Sequence, residues 1–272
     1  MKKIFLFALL ATALHAEPFQ KAEVTRVVNL VSILREQQKA SAASVGDVVT
    51  GQTAVKTGSD SRAELRFPDN TITRLGSNAL FRFEAGGRSM DIEGGTMLFS
   101  SPKGGGGGEV QAGAVTAAVT GTTFLLAFML NGDVKVIVIE GKVLVYLTKF
   151  PAIRRMLRSG QVVVVPKNAV EIHQPYSIDL KVLLATSRLL ESGGFGPLFN
   201  QTFVTKAVNG QQFQIIKPPG GQNFSQQIAQ ITRRNTDQPG PPPKPMTTPP
   251  PRPPSTPAPT PPPTPHPSCI PE

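Results

Sequence analysis

Val119-Thr120-Gly121-Thr122-Thr123-Phe124 ends one apolar strand at a Gly-Thr corner and opens a second apolar strand directly behind it. Beyond the corner Phe124, Leu126, Phe128 and Leu130 alternate with their neighbours as far as Asn131-Gly132. That dipeptide is a strong hairpin signal, because a tight two-residue turn needs positive φ at its centre. Val134, Val136 and Val138 supply the return strand, Glu140-Gly141-Lys142 turns again, and residues 143–146 form a third run. Their near-continuous apolarity predicts strands covered on both faces.

Toward the N-terminus the runs alternate more cleanly. Ala63-Glu64-Leu65-Arg66-Phe67 places Ala63, Leu65 and Phe67 on one face and both charges on the other, the pattern of a half-buried strand. Pro68-Asp69-Asn70 turns the chain. Ala79, Phe81 and Phe83 alternate around Arg82, and Met90 and Ile92 around Asp91 and Glu93, before Gly94-Gly95 forces another turn. A last run, residues 161–165, is closed by Pro166. Many short strands divided by Gly, Asp and Asn predict an all-β domain over residues 17–173, built as a compact twisted sheet, a sandwich or a solenoid-like stack. Roughly 150 residues suffice to remove about 70% of the unfolded surface from water. The glycines at 104–108 predict a flexible loop; no Gly-Lys-Ser/Thr follows them, which excludes a phosphate-cradling loop.

The flanks are of other kinds. Lys2 and Lys3 precede an apolar stretch over 4–14 and small residues at Ala11, Ala13 and Ala16, the layout of a cleaved signal peptide over residues 1–16, with cleavage after Ala13 or Ala16. The apolar stretch is shorter than the roughly 20 residues a membrane helix needs. Residues 124–139 are interrupted by Asn131-Gly132-Asp133 and Lys135, so no transmembrane span is expected in the mature chain. Residues 174–236 read as a partly helical extension, with an amphipathic helix over 177–191 and a second short helix over 224–233 set in irregular, Gln- and Asn-rich sequence. From residue 237 to 272 proline dominates, which predicts a disordered, extended tail.

Little in the chain assembles chemistry. A Ser/His/Asp device would have to use His173, and no nucleophile elbow accompanies it, so no catalytic residue is assigned. His266 and Cys269 make two ligands at most, so no metal or cofactor is expected. Cys269 is the only cysteine, and no internal disulfide is available. The formal charge of +10 falls to about +8 once Lys2 and Lys3 are removed, and a basic exported protein meets anionic polymers and lipids before nucleic acid. The densest basic cluster, a candidate patch, is Lys149, Arg154, Arg155 and Arg158.

The order of motifs resembles the FecR family. The pieces are Val45-Gly46-Asp47; Val55-Lys56-Thr57-Gly58 with Ser61-Arg62-Ala63-Glu64-Leu65-Arg66-Phe67; Asp69-Asn70 with Arg74-Leu75-Gly76; Ile92-Glu93-Gly94-Gly95; the Val119–Phe124 corner; Val138-Ile139-Glu140-Gly141-Lys142-Val143; and Ser159-Gly160-Gln161-Val162-Val163-Val164. Together they cover residues 24–170 or so. The resemblance implies a periplasmic all-β domain that signals by protein–protein contact. In the family's namesake branch such a domain is joined through a single membrane helix to a cytoplasmic anti-sigma segment, and this sequence carries neither pattern. The motif residues Gly58, Gly94, Gly121, Thr122, Gly141 and Gly160 are expected to shape corners rather than hold ligand, since glycine admits sharp turns and close backbone approach. The leading expectation is therefore an exported, non-catalytic interaction module with an envelope protein as partner. The alternative is an envelope structural protein that holds anionic wall polymer or lipid through its basic surface.

Overall fold

The computed structural model describes residues 17–190, 195–198 and 200–211. The expected signal peptide, the helix at 224–233, and the proline-rich tail with His266 and Cys269 lie outside the described residues. No helix among the described residues is long and apolar enough to cross a membrane.

The chain shuttles between two nine-stranded sheets. It begins with β1 (Lys21–Val28) in sheet I and crosses to β2 (Val31–Arg35) and β3 (Ser41–Ala42) in sheet II. It returns for β4 (Val48–Thr50), crosses for β5 (Thr53–Thr57), and returns for the hairpin β6 (Arg62–Arg66) and β7 (Ile72–Leu75). Sheet II then receives β8 (Leu80–Phe83) and β9 (Ser89–Glu93), and sheet I receives β10 (Thr96–Ser100). The alternation continues with β11 (Gly108–Ala112) and β12 (Val115–Val119) in sheet II and β13 (Thr123–Phe128) and β14 (Val134–Glu140) in sheet I. It ends with β15 (Lys142–Leu147) and β16 (Phe150–Arg158) in sheet II and β17 (Gln161–Val165) and β18 (Tyr176–Ser177) in sheet I. The pairings among these strands are antiparallel except β9 with β11. Of the architectures that the sequence left open, this is the sandwich.

One core lies between the sheets, where the inward residues of both alternate runs meet. Phe19, Phe67 and Phe83 stack in series there, with ring centroids 4.3 and 5.2 Å apart, and Phe99 faces Phe124 at 5.5 Å. A second core covers the outer face of sheet I. Ile72, Leu98, Leu125, Ile137 and Val162 pack there against Leu180, Leu183, Leu189, Phe195, Val204 and Val208 of the C-terminal extension. The expected coverage on both faces thus holds for β13 and β14 and extends to β7 and β10. It fails for the third run, β15, whose Leu144 and Tyr146 are only half-buried because nothing in the second core covers the outer face of sheet II there.

The extension contributes α1 (Leu180–Thr186) and α2 (Gln201–Asn209). Asp179 caps α1 by accepting from the amides of Lys181 and Val182, so the helix starts later than the expected 177, and it ends well before 191. The second helix falls where the sequence promised irregular chain. Its apolar Val204 and Val208, four residues apart, face the sheet.

The Asn131-Gly132 hairpin is wider than expected. Met129 N–H donates to Asp133 O and Gly132 N–H to Met129 O, with positive φ at Gly132 alone of the pair, so Leu130, Asn131 and Gly132 form a three-residue loop. Leu130 is consequently not part of the alternating face and is 98% exposed.

Candidate interaction surfaces

The motif glycines stand where the chain passes from one sheet to the other: Gly58 after β5, Gly76 after β7, Gly94 after β9, Gly121 after β12, Gly141 after β14 and Gly160 after β16. Neighbouring corners support one another. Gly76 N–H bonds Thr96 O beyond the Gly94-Gly95 corner, and Asn78 N–H bonds Gly58 O. At Gly121 φ is +60°, and a Cβ there would stand 2.8 Å from Lys103 Cα. Both the left-handed conformation and the backbone approach exclude a side chain. Thr122 Oγ1 donates to Lys142 O at 3.0 Å, tying this corner to the one at Gly141. These residues build the frame, and none of them projects a reactive group outward.

Sheet I and the extension are joined by polar contacts as well as by apolar packing. Arg74, 1% exposed, donates through Nε to Glu64 Oε2 at 2.6 Å, through Nη1 to Leu189 O at 3.0 Å and through Nη2 to Gly196 O, with Phe195 4.7 Å beneath its guanidinium. Burial lowers the pKa of Arg74, opposed by the charge of Glu64. Asn200 donates to Thr123 Oγ1 at 2.6 Å and accepts from Ser100 Oγ at 2.8 Å. Lys103 bridges Glu140 at 3.0 Å and the ring of Phe203 at 3.9 Å. Gln211 closes the segment, accepting from Leu180 N–H and donating to Ile178 O.

Glu64 is where the alternation misled. Its strand was read as half-buried with both charges in water, yet Glu64 is only 7% exposed because the extension covers that face. Arg66, one residue pair further along, does stay exposed. Nothing local in the pentapeptide distinguishes the two; the signal lies in the apolar residues of the extension that need a surface.

The candidate basic patch divides. Arg154 and Arg158 lie on the outward face of β16 with Met156 between them, and Lys149 is exposed in the turn before the strand. Arg155, on the opposite phase, turns inward and donates through Nη2 to Ile172 O at 3.2 Å. The outward register adds Lys142, opposite Arg158, and Tyr146, opposite Arg154. Tyr146 Oη donates to Glu109 Oε1 at 3.0 Å. No group of three or more His, Cys, Asp or Glu suited to a metal ion occurs among the described residues.

Comparison with known proteins gives the following. Two crystal structures, at 1.65 and 2.50 Å, of a candidate anti-sigma factor from Parabacteroides distasonis ATCC 8503 are similar at 20% identity, with TM-scores of 0.42 and 0.41. Each alignment covers 48% of this chain and 63% or 62% of the other, so the chain spans less than two thirds of their length. No curated protein matches. Residues 53–144, running from the start of β5 into β15 and so through the middle of both sheets, match the family model described as FecR protein.

Proposed function

We propose that the chain is an exported, non-catalytic interaction module of FecR type that signals by association with another protein of the cell envelope. The observation that carries this reading is the FecR segment itself, which forms the middle of both sheets while its motif residues are used in the corners of the frame. Recognition is then left to the outward surfaces. Sheet I spends its outer face on the chain's own extension. Sheet II presents Lys56, Arg82, Lys142, Arg154 and Arg158 to solvent. The signal-like N-terminus, with Lys2, Lys3 and a short apolar stretch, supports export.

The test is site-specific photo-crosslinking in the native cell. A photoreactive residue is placed at Arg82 or Lys142, and the tagged full chain is recovered at about 0.3 M salt, where the Debye length is only about 6 Å and charge-only association is largely screened. A discrete protein adduct supports the reading. Absence of any protein adduct, with anionic polymer held only at low salt and released completely at about 0.3 M, overturns it in favour of an envelope structural protein.

A further inference from the structure

Two nine-stranded sheets have four lateral edges, and three end in very short strands: β18 and β3 with two residues each, and β4 with three. Short edge strands are a common protection against unwanted pairing. The fourth edge is β16, nine residues long and largely exposed.

The register shows which of its backbone groups are free. In an antiparallel ladder one residue turns its amide and carbonyl to one neighbour, and the next residue turns both to the other. Thr148 N–H donates to Ala114 O, so the even-numbered residues of β15 face β12. Val143 and Val145 therefore face β16, where their partners are Leu157 and Arg155. Arg154 and Met156 must then direct their amides and carbonyls away from β15, toward the open edge. Arg158 has the same phase, and its amide is taken by Gln161 Oε1 at 2.8 Å. Among the described residues no loop or turn backbone bonds the edge groups of Arg154 or Met156.

The side chains on this edge have one character. Arg154 and Arg158 flank Met156, which is 47% exposed, and Phe150 at the strand's start is 55% exposed. No carboxylate lies on β16. We propose that the open edge of β16 is a strand-addition site for an extended, acidic segment of a partner protein. Main-chain bonds to Arg154 and Met156 supply the docking, and side chains opposite Arg154, Met156 and Arg158 read an acidic, apolar, acidic sequence at alternate positions. A second copy of this chain is a poor occupant, because pairing β16 with itself sets arginines against arginines across the new ladder. The proline-rich residues 237–272 are another poor occupant, since proline has no amide to donate. The inference rests on the interaction-module reading and names the chemistry of its partner.

The test is fluorescence anisotropy of the full chain with a labelled peptide that repeats glutamate, threonine, valine and threonine. Two control probes are the same peptide N-methylated at alternate backbone amides, and polyglutamate. Met156→Pro removes an amide that makes no bond to β15, a substitution that edge strands tolerate. It is expected to weaken the peptide about tenfold, the loss of one inter-strand hydrogen bond. N-methylation should abolish binding, Arg154→Glu should weaken it, and polyglutamate should compete poorly. Should Met156→Pro fail to fold, the N-methylated peptide against the unaltered protein decides the same point. The inference is overturned if the peptide does not bind, or if Met156→Pro and N-methylation leave binding unchanged. A crosslinked partner that Met156→Pro still captures also overturns it, while the module reading stands. Absence of any protein adduct removes the module reading itself.

Discussion

Arg74→Met should detach the C-terminal extension from sheet I more effectively than any single apolar truncation. Methionine keeps much of the arginine stem and removes the guanidinium. Glu64 is then left as a buried carboxylate with Thr25 Oγ1, 2.7 Å away, as its remaining donor. The carbonyls of Leu189 and Gly196 lose their donors, and Phe195 loses the cation above its ring. Removing one partner of a buried pair costs about 3–5 kcal/mol, most of it the stranded charge. With a urea slope of about 2–3 kcal/mol/M, the unfolding midpoint should fall by about 1–2.5 M. Adding Glu64→Gln removes the stranded charge and should restore roughly half of the loss, while the carbonyls stay unsatisfied. Limited proteolysis of Arg74→Met should cut within residues 187–198 before the sandwich is touched. A single variant within about 1 kcal/mol of the parent, or a double variant no more stable than the single, would refute the stranded-charge argument.

Four further outcomes are expected. Gly121→Val should lower the denaturant midpoint by about 1–3 kcal/mol of stability, because φ of +60° and Lys103 Cα at 2.8 Å leave no place for a side chain; an unchanged midpoint with lost partner binding would make the corner a contact site. Gly160→Ala should destabilise by about 1–3 kcal/mol, its Cβ standing 2.6 Å from Gln211 Nε2 at φ of +78°, and melting of Gln211→Gly in the same background should recover part of that loss. Asn200→Ala should cost about 1–2 kcal/mol by urea melts, since Thr123 and Ser100 lose their shared partner. Burial lowers Lys135 to about 8, so the unfolded chain binds more protons than the folded one above that value; stability should rise from about pH 8 to 10, then fall as burial-raised Tyr176 holds a proton that the unfolded chain releases, and midpoints at about pH 7, 8.5, 10 and 11.5 check both slopes.

The strands of the all-β domain were legible in the sequence to the extent that side chains alternate in place, while sandwich, twisted sheet and solenoid-like stack all stayed open. The inward set of Leu65, Phe81, Ile92 and Phe124 needs no information beyond period two and turn residues. Which sheet a strand joins is a different matter. Alternation states which residues face inward but not from which side, so the shuttle between sheets could not be read. The Glu64 and Arg74 pair was hidden for the same reason, since a charge on the outer phase reads as solvated until something covers it. The second helix escaped because its apolar positions, Phe203, Val204, Ala207 and Val208, are set among Gln, Thr, Asn and Lys. The basic cluster was visible, but its division was not: sequence proximity joins Arg155 to Arg154, and the pleat separates them onto opposite faces.

The shuttle also fixes how this molecule can be assembled. Read across sheet II, the strands run β3, β2, β5, β8, β9, β11, β12, β15 and β16, and sheet I advances almost as steadily from β4 and β1 to β18. Each new segment therefore lands on an edge that the preceding segments have just completed, and it brings its share of both core walls with it. A chain emerging from its N-terminus can grow the body like courses of brick laid alternately on two facing walls, with no strand left waiting for a distant sequence to arrive. Long-range loop closure, the step that slows most β architectures, is divided into short increments. The last course is the exception, because the extension must fold back over sheet I and seat Leu189 and Gly196 on Arg74. Until it does, the outer side of that sheet is bare, and the final fold-back is the stage at which the nascent protein is most prone to associate with others.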